Sequence, residues 1–486
     1  MNSLQRIKAW LSGENQFQKA AKGAVLSTSF HLTRQLWALF SNLLLTRLLL
    51  PEAFGLMATI FVIITAFTLL SDMGMDVGIV RSERGDDPDF INTVWTLQVL
   101  RHALIFFACL GCTGWVAEFY NEPFLAKALP VSALGLFLSG FRSMAWASGE
   151  RNFNLKPGLG LDLKTQALFT IIAATWAFID PTPWALVGAA FITEGIYKPI
   201  ASHRLSTAIP CRFKWDSAAL HEILHLGKWI FLSTTLYFIA TQFDRIILPR
   251  WFDMTTMGIY HIASTFSQMP GQIIGGIASS VLLPLFSKFS RESDNQVCNN
   301  DLLKVRSAIL PATMALIVAL HLGAELLFQV LYNDAYAEGA TMLMYLSVMV
   351  WFSCLKRTIE NMSIAIGKTY ILALNSMVSL IFRVGSSWLG YLYNDLYGLL
   401  LGLVVGTALE YLAIQLNLRR YGIKIFTQDL CYTFALAIVL AIFHAGQGTY
   451  QHWVWEWIWP ISLCLTTCAV LAWMFVKRMH AAKQVG

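Results

Sequence analysis

Charged residues make up only 13% of this 486-residue chain. A water-soluble domain carries about 25%, so too few ionic groups are present to cover a surface facing water, and an ordinary soluble enzyme is excluded. The formal charge of +6 would point to nucleic acid in a soluble protein. In a chain this apolar the placement of positive charge matters more than its total, and no nucleic-acid partner is expected. Cysteine is scarce too: the 8 Cys form no cluster alternating with His at metal-ligand spacing, so neither a metal nor another cofactor is expected. Cys109 and Cys112 make a CxxC and Cys464 and Cys468 a CxxxC, but both lie inside apolar runs, where the residue behaves as a small hydrophobe. Catalytic signatures are missing as well, with no phosphate loop ending in Lys and Ser or Thr, no GxSxG elbow and no HExxH. Enzymatic chemistry is therefore not expected. Arg6, Lys8, Lys19 and Lys22 are not followed by a short apolar core and a small-residue cleavage site, which argues against a cleaved signal peptide.

What the chain does have is apolar bulk: 56% hydrophobic residues, 17 Trp and 32 Phe, with a mean hydropathy of +0.56. A membrane-crossing helix needs roughly 20 apolar residues, so about fourteen spans fit with short connections. Runs bounded by Pro, Gly or charge place them near 24–46, 54–71, 91–112, 128–148, 163–179 and 184–204. A second group follows near 228–248, 257–283, 307–329, 340–355, 369–392, 398–418, 429–446 and 453–476. The expected organisation is an amphipathic N-terminus (1–23), a first lobe (24–204), a linker (205–227), a second lobe (228–418), a further pair of helices (419–476) and a tail (477–486). No connection is long enough for a separate domain. If the N-terminus is cytoplasmic, the outer segments hold only Arg47, Lys127, Arg245 and Arg250, while Arg34, Arg101, Arg142 and Arg383 fall within spans and all other Lys and Arg are inside. The opposite orientation violates the positive-inside rule in nearly every loop, so both termini are expected in the cytoplasm.

The sequence repeats itself at long range. Thr46-Arg47-Leu48-Leu49-Leu50-Pro51, followed by Gly55 and Met57-Ala58, reappears as Asp244-Arg245-Ile246-Ile247-Leu248-Pro249, followed by Gly258 and Ile262-Ala263. Both copies point the same way, the parallel arrangement of two lobes about an axis normal to the membrane.

A polar side chain in lipid lacks a partner and is expected to face protein or water. On the first span Ser27, Thr28, His31, Arg34, Gln35, Ser41 and Asn42 share an arc of about 140°, opposite Leu36, Phe40, Leu43 and Leu44. The seventh span repeats the pattern with Ser233, Thr234, Tyr237, Thr241, Asp244 and Arg245. Span eight adds His261, Ser264, Thr265 and Gln268, and span eleven Asn375, Ser379, Arg383 and Ser386. These stripes predict a water-accessible cavity between the lobes. Arg34 sits near mid-membrane, where a charge costs at least about 2.5 kcal/mol. Its planar donors either hold a phosphate or diphosphate bidentately or pair with an intramembrane carboxylate such as Glu194 or Glu410. His31, one turn away, either titrates near neutral pH or packs between helices. Asp244 beside Arg245 is either an outer gate or an interfacial pair. Arg101, Arg142 and Arg383 fit structural or snorkelling roles, and the acidic run from Glu83 to Asp89 a solvated loop.

With Thr46-Arg47-Leu48-Leu49-Leu50-Pro51-Glu52-Ala53-Phe54-Gly55, Ser71-Asp72-Met73-Gly74-Met75, Ala117-Glu118-Phe119-Tyr120, Pro183-Trp184-Ala185-Leu186-Val187-Gly188, Gln242-Phe243-Asp244-Arg245, Gly258-Ile259-Tyr260, Pro270 and Leu283-Pro284-Leu285-Phe286-Ser287 in order, the chain resembles the polysaccharide-transporter family. That family lies within the multidrug/oligosaccharidyl-lipid/polysaccharide flippase superfamily. The resemblance implies an all-α polytopic membrane protein of two six-helix lobes plus two C-terminal helices, working by alternating access in a bacterial inner membrane. It implies a polyprenyl-diphosphate-linked oligosaccharide as substrate, with Arg34 and Arg245 as the matching cavity arginines. Other polysaccharide-assembly proteins are conceivable partners, and the coupling ion is unspecified. The full set of expected cavity residues is Arg34, His31, Gln35, Tyr237, Asp244, Arg245, His261, Gln268 and Arg383. Rival readings are a cation-coupled drug exporter of the same fold, a membrane-embedded polymerase or glycosyltransferase, and a scaffold recruiting partners through the acidic loop.

Overall fold

Proline and short acidic or amide side chains set where the helices begin and end. The computed structural model describes residues 16–152, 154–205, 210–277, 295–365, 370–419 and 425–447. The expected last span at 453–476, the Leu283–Ser287 motif and the Cys464/Cys468 pair lie outside the described residues, as do the side chains of His31 and Tyr237. Every regular element among the described residues is helical.

The first helix, α1 (Gln16–Leu48), stops before Pro51, which occupies the first turn of α2 (Pro51–Leu69). Proline fits there because its missing N–H would have no partner. The short α3 (Met75–Arg81) follows Gly74 in the left-handed region. Asp87 caps α4 (Pro88–Tyr120) by accepting from the Asp89 N–H, and α4 ends at Asn121 with φ 53°. Glu122 then caps α5 (Pro123–Ser139), so two residues turn the chain back on itself. The run continues with α6 (Ala145–Arg151), α7 (Lys156–Ile179), α8 (Trp184–Ala190), a π-helical stretch (Phe191–Tyr197) and α9 (Lys198–Ser202). Then come α10 (Ser217–Trp251), α11 (Met254–Ile277), α12 (Asn295–Leu322), α13 (Ala324–Leu331), α14 (Gly339–Ala365), α15 (Tyr370–Arg419) and α16 (Phe426–Gln447). The expected eleventh and twelfth spans are two helices, numbered together as α15, that fold back on each other at Asn394 and Asp395, the latter at φ 39°, so that the Ser386 hydroxyl donates to the Gly402 carbonyl at 2.6 Å. Six stretches of these helices are long and apolar enough to cross a membrane by length and composition.

The chain divides into two units, Met1–Gly258 and Ile259–Gly486. In the first, α1 packs on α7, α4 on α5, and α10 on α2 and α4, around Phe90, Val94 and Ile79 at one end and Leu56, Ile60, Leu125 and Leu129 at the other. In the second, α14 packs on α12 and α15, and α16 on α12, over a core containing Trp351, Leu310, Ile317 and Phe443.

The two glycines of the long-range repeat meet. A Cβ placed on Gly55 would lie 1.8 Å from the Met254 carbonyl oxygen, and one on Gly258 would lie 1.8 Å from that of Pro51. Each glycine thus sees the residue four positions before the other, the reciprocity that a local two-fold axis between α2 and the start of α11 requires. Only the absence of a side chain allows such an approach, as in small-residue crossings of membrane helices.

Candidate functional site

The arginines within the helices sort into those with partners and those without. Arg101 donates to the Ser71 hydroxyl and the Thr68 carbonyl, each at 3.1 Å, which satisfies the last turn of α2. Just past α5, Arg142 donates to Asp76 at 2.9 Å. Arg306, fully buried, is held by Asp429 and Thr358, and Asp429 also accepts from Tyr411 and Gln415. Arg383 lies 3.2 Å from Glu410, whose other oxygen accepts from Lys356 at 2.7 Å. Arg250 stacks its guanidinium over the Phe119 ring. Arg245 reaches the Gln242 side chain on its own helix.

Arg34 is different. Its side chain is exposed and, among the described residues, has no hydrogen-bonding or ionic partner, although its main-chain carbonyl accepts from Gln166. The two carboxylates named as examples of a partner are occupied, Glu194 by Lys198 at 3.0 Å and Glu410 by Lys356 and Arg383. Arg357 on α14 is likewise exposed and without a partner among the described residues. It falls beyond the expected tenth span and was therefore counted as a loop cation, but α14 continues through it to Ala365.

The remaining expected residues are spread over several surroundings. On α1 the polar arc is divided: Ser41 is buried and bonded to Thr170, which also accepts from Trp37, so this part joins α1 to α7. Gln35 and Asn42 are half-buried. Asp244 and Arg245 are half-buried near the end of α10, whose Thr234 donates to the Leu69 carbonyl of α2. His261 accepts from Ser264 and Thr265 through its main-chain oxygen, and Gln268 is exposed on the same face of α11.

The first unit also contains a chamber of about 440 Å³ lined by Asp72, Asp76, Gln98, Arg101, His102, Arg142, Glu194 and Lys198. Sequence reading placed Arg101 and Arg142 within spans but did not bring them together. The topology does so where α2, α4, α5 and the π-helical stretch come together. Its positive groups face acidic ones, as the Arg142–Asp76 and Lys198–Glu194 pairs show. A balanced set like this binds the bundle together and offers an anion no excess charge.

Three acids of the run from Glu83 to Asp89 are paired within the protein. Arg84 bridges Asp87 and Asp216, Arg151 holds Asp86, and Lys214 pairs with Asp89. The bond to Asp89 N–H and the Arg84 guanidinium hold the Asp87 carboxyl below its usual range. Arg84 does the same for Asp216, helped by the Ala218 N–H. Between the two acids lies an extended strap, residues 210–216. The main-chain N–H groups of Arg212, Lys214 and Asp216 donate to Asn92, Thr96 and Thr93 on one face of α4. Phe213 packs against Trp95 with centroids 4.9 Å apart and the rings tilted by 51°.

Residues 44–341 match the family described as "Polysaccharide biosynthesis protein". The chain belongs to this family. It is 21% identical over 259 residues to the succinoglycan biosynthesis transport protein ExoT of Rhizobium meliloti (strain 1021), covering 52% of this chain and 51% of that protein. It is 22% identical over 305 residues to the lipopolysaccharide biosynthesis protein WzxC of Escherichia coli (strain K12), covering 60% and 59%. The chain thus spans between half and three-fifths of the length of these relatives. Among solved structures, the lipid II flippase MurJ in an inward closed conformation superposes with a TM-score of 0.71 at 15% identity, covering 94% of this chain and 99% of that one. An inward-facing multidrug resistance MATE family transporter gives 0.62 at 14% identity, covering 83% and 95%. These likenesses define the fold, and with the apolar helices they make the family member a multi-pass membrane protein.

Proposed function

We propose that the protein is a flippase of the bacterial inner membrane that carries a polyprenyl-diphosphate-linked oligosaccharide repeat from the cytoplasmic to the outer leaflet. The repeat would feed exopolysaccharide, capsule or lipopolysaccharide O-antigen assembly. The observation that carries the reading is Arg34: a guanidinium on the helix expected to be the first span, which stays charged and whose candidate internal carboxylates are already taken. A charge left in that position at a cost of at least about 2.5 kcal/mol is accounted for by an anionic ligand. The planar fork suits the oxygens of a diphosphate. The sugar would travel in the aqueous space beside the polar stripes while the polyprenyl chain stays in lipid, so translocation needs no covalent step. Alternating access and cytoplasmic termini belong to the same proposal, the latter from the placement of Lys and Arg.

The test is a strain in which Arg34→Ala or Arg34→Glu replaces the wild-type gene. Loss of surface polysaccharide with accumulation of undelivered lipid-linked repeats is expected, and normal polysaccharide without accumulation refutes the assignment. The second reading, a cation-coupled drug exporter, is favoured by the superposition on the MATE transporter. Dye efflux from cells with and without the gene separates the two: efflux that depends on the gene would favour the exporter.

A further inference from the structure

We infer that the chamber within the first unit is a binding site for a membrane phospholipid whose headgroup is a zwitterion with a primary ammonium, a phosphatidylethanolamine. The inference needs only a membrane protein and stands apart from the flippase reading, because no residue of the polar stripes takes part. The chamber's volume of about 440 Å³ lies within the range of small-molecule sites, roughly 300–1,000 Å³. Its depth fits a headgroup. α2 is apolar and long enough to cross a membrane from Pro51 to Leu69, and Asp72 and Asp76 line the chamber just past that end. The chamber therefore sits where the hydrocarbon of a bilayer gives way to headgroups. It is also reachable, since the Glu194 side chain in its wall is 56% exposed. On the same elements Leu70, Val77, Ile196 and Ile200 are exposed, which gives acyl chains an apolar surface beside the polar chamber.

The charges select the headgroup. Asp72, Asp76 and Glu194 line the chamber together with Arg101, Arg142 and Lys198, three acids against three bases. Neither a lone anion nor a lone cation finds an excess of opposite charge there, whereas a zwitterion meets both signs. Each acid keeps one oxygen without a hydrogen-bonding partner among the described residues. Asp72 accepts the Gly74 N–H through Oδ1, Asp76 meets Arg142 through Oδ2, and Glu194 meets Lys198 through Oε2. Three open acceptors match the three N–H donors of a primary ammonium. A quaternary ammonium carries no such donor and would leave them unanswered. On the phosphate side, Arg142 has Nε and Nη1 uncommitted among the described residues. Lys198, held by Glu194 and Asp162, retains a third N–H. These donors suit phosphate oxygens as charge-assisted hydrogen bonds.

Full-length protein in detergent is titrated with phosphatidylethanolamine, phosphatidylcholine and phosphatidylglycerol carrying the same acyl chains, and bound lipid is read by native mass spectrometry. The wild type should hold the ethanolamine lipid about tenfold more tightly than the other two, the worth of one charge-assisted hydrogen bond. Equal binding of phosphatidylcholine overturns the inference, because N–H donors then play no part. Equal binding of phosphatidylglycerol overturns it too, as an ordinary annular contact. Glu194→Gln leaves the chamber with one base in excess, while Lys198 keeps Asp162. Affinity of this variant for phosphatidylethanolamine should fall about threefold to tenfold, the exposure of the carboxylate moderating the loss, and affinity for phosphatidylglycerol should rise. A folding defect would lower both, so the crossed response identifies the chamber, and an unchanged preference in Glu194→Gln overturns the assignment. Free phosphoethanolamine at the same concentration should not displace the lipid. Displacement would make a soluble compound the ligand and overturn the phospholipid.

Discussion

Replacing Gly258 by Ala probes the reciprocal crossing of α2 and α11 most directly. The new methyl would lie 1.8 Å from the Pro51 carbonyl oxygen. Such pairs do not approach closer than 3.0 Å, so the helices must part by about 1.2 Å. Dispersion falls steeply over that distance, a gap of 0.5–1 Å already forfeiting roughly a quarter to a half of each contact. Overpacking of this kind costs about 1–3 kcal/mol, and the obstacle here is main chain rather than a side chain that can turn aside. The upper part of that range, about 2–3 kcal/mol, corresponds to a lowering of the melting temperature by roughly 5 °C for a unit of this size. Gly55→Ala should cost about the same, because each glycine faces the equivalent carbonyl of the other helix. The double variant should cost clearly less than the sum, since helices already parted by one methyl accommodate the second, a coupling of about 0.5–3 kcal/mol. The assay is thermal unfolding of purified protein in detergent followed by tryptophan fluorescence. An unchanged midpoint for either single variant, or strict additivity in the double one, would refute the reciprocal packing.

Asp429→Ala would leave Arg306 buried without its counter-charge, and a loss of about 3–5 kcal/mol is expected. Arg306→Met combined with Asp429→Leu should restore most of it in the same melting assay. The acidic loop and the strap should separate in acid. The carboxyls of Asp87 and Asp216 are held below their usual range, so their contribution is present at neutral pH and is lost as pH falls through those lowered values. Amide exchange at Arg212, Lys214 and Asp216, corrected for intrinsic rate, should then rise. At neutral pH, Arg84→Ala should produce the same rise and expose Arg212 and Lys214 to trypsin, and unchanged exchange would show that the ion pairs do not hold the strap.

Much of the fold is legible in the sequence because lipid imposes long apolar runs and because caps act locally: Asp87-Pro88 and Asn121-Glu122-Pro123 mark their helix ends by side-chain chemistry within two residues. The repeat is legible as well, since Gly55 and Gly258 follow the same Arg and Leu-Pro pattern. Pairing is not. Periodicity shows that Ser41 and Arg34 share an arc of α1, but only packing shows that Ser41 meets Thr170 while Arg34 meets no carboxylate among the described residues. Arg306, Lys356 and Arg357 escaped notice for a different reason. They lie just outside the apolar runs, Arg306 before the ninth and Lys356-Arg357 after the tenth, whereas α12 and α14 extend past those edges, so the charges fall with the loops in a hydropathy reading. The partners of Arg306 come from more than 50 residues away, a separation no local pattern encodes.

The strap of residues 210–216 is gripped by its main chain, with the three recognising side chains all on the helix beneath it. Phe213, Lys214 and Asp216 add side-chain contacts to Trp95, Asp89 and Arg84. A strap that keeps those three should seat equally well whatever side chain stands at 212, proline excepted. Exchange of Asn92, Thr93 or Thr96 for residues without an accepting oxygen should not be tolerated in the same way. Divergence among family members should then spare the three residues that receive the strap.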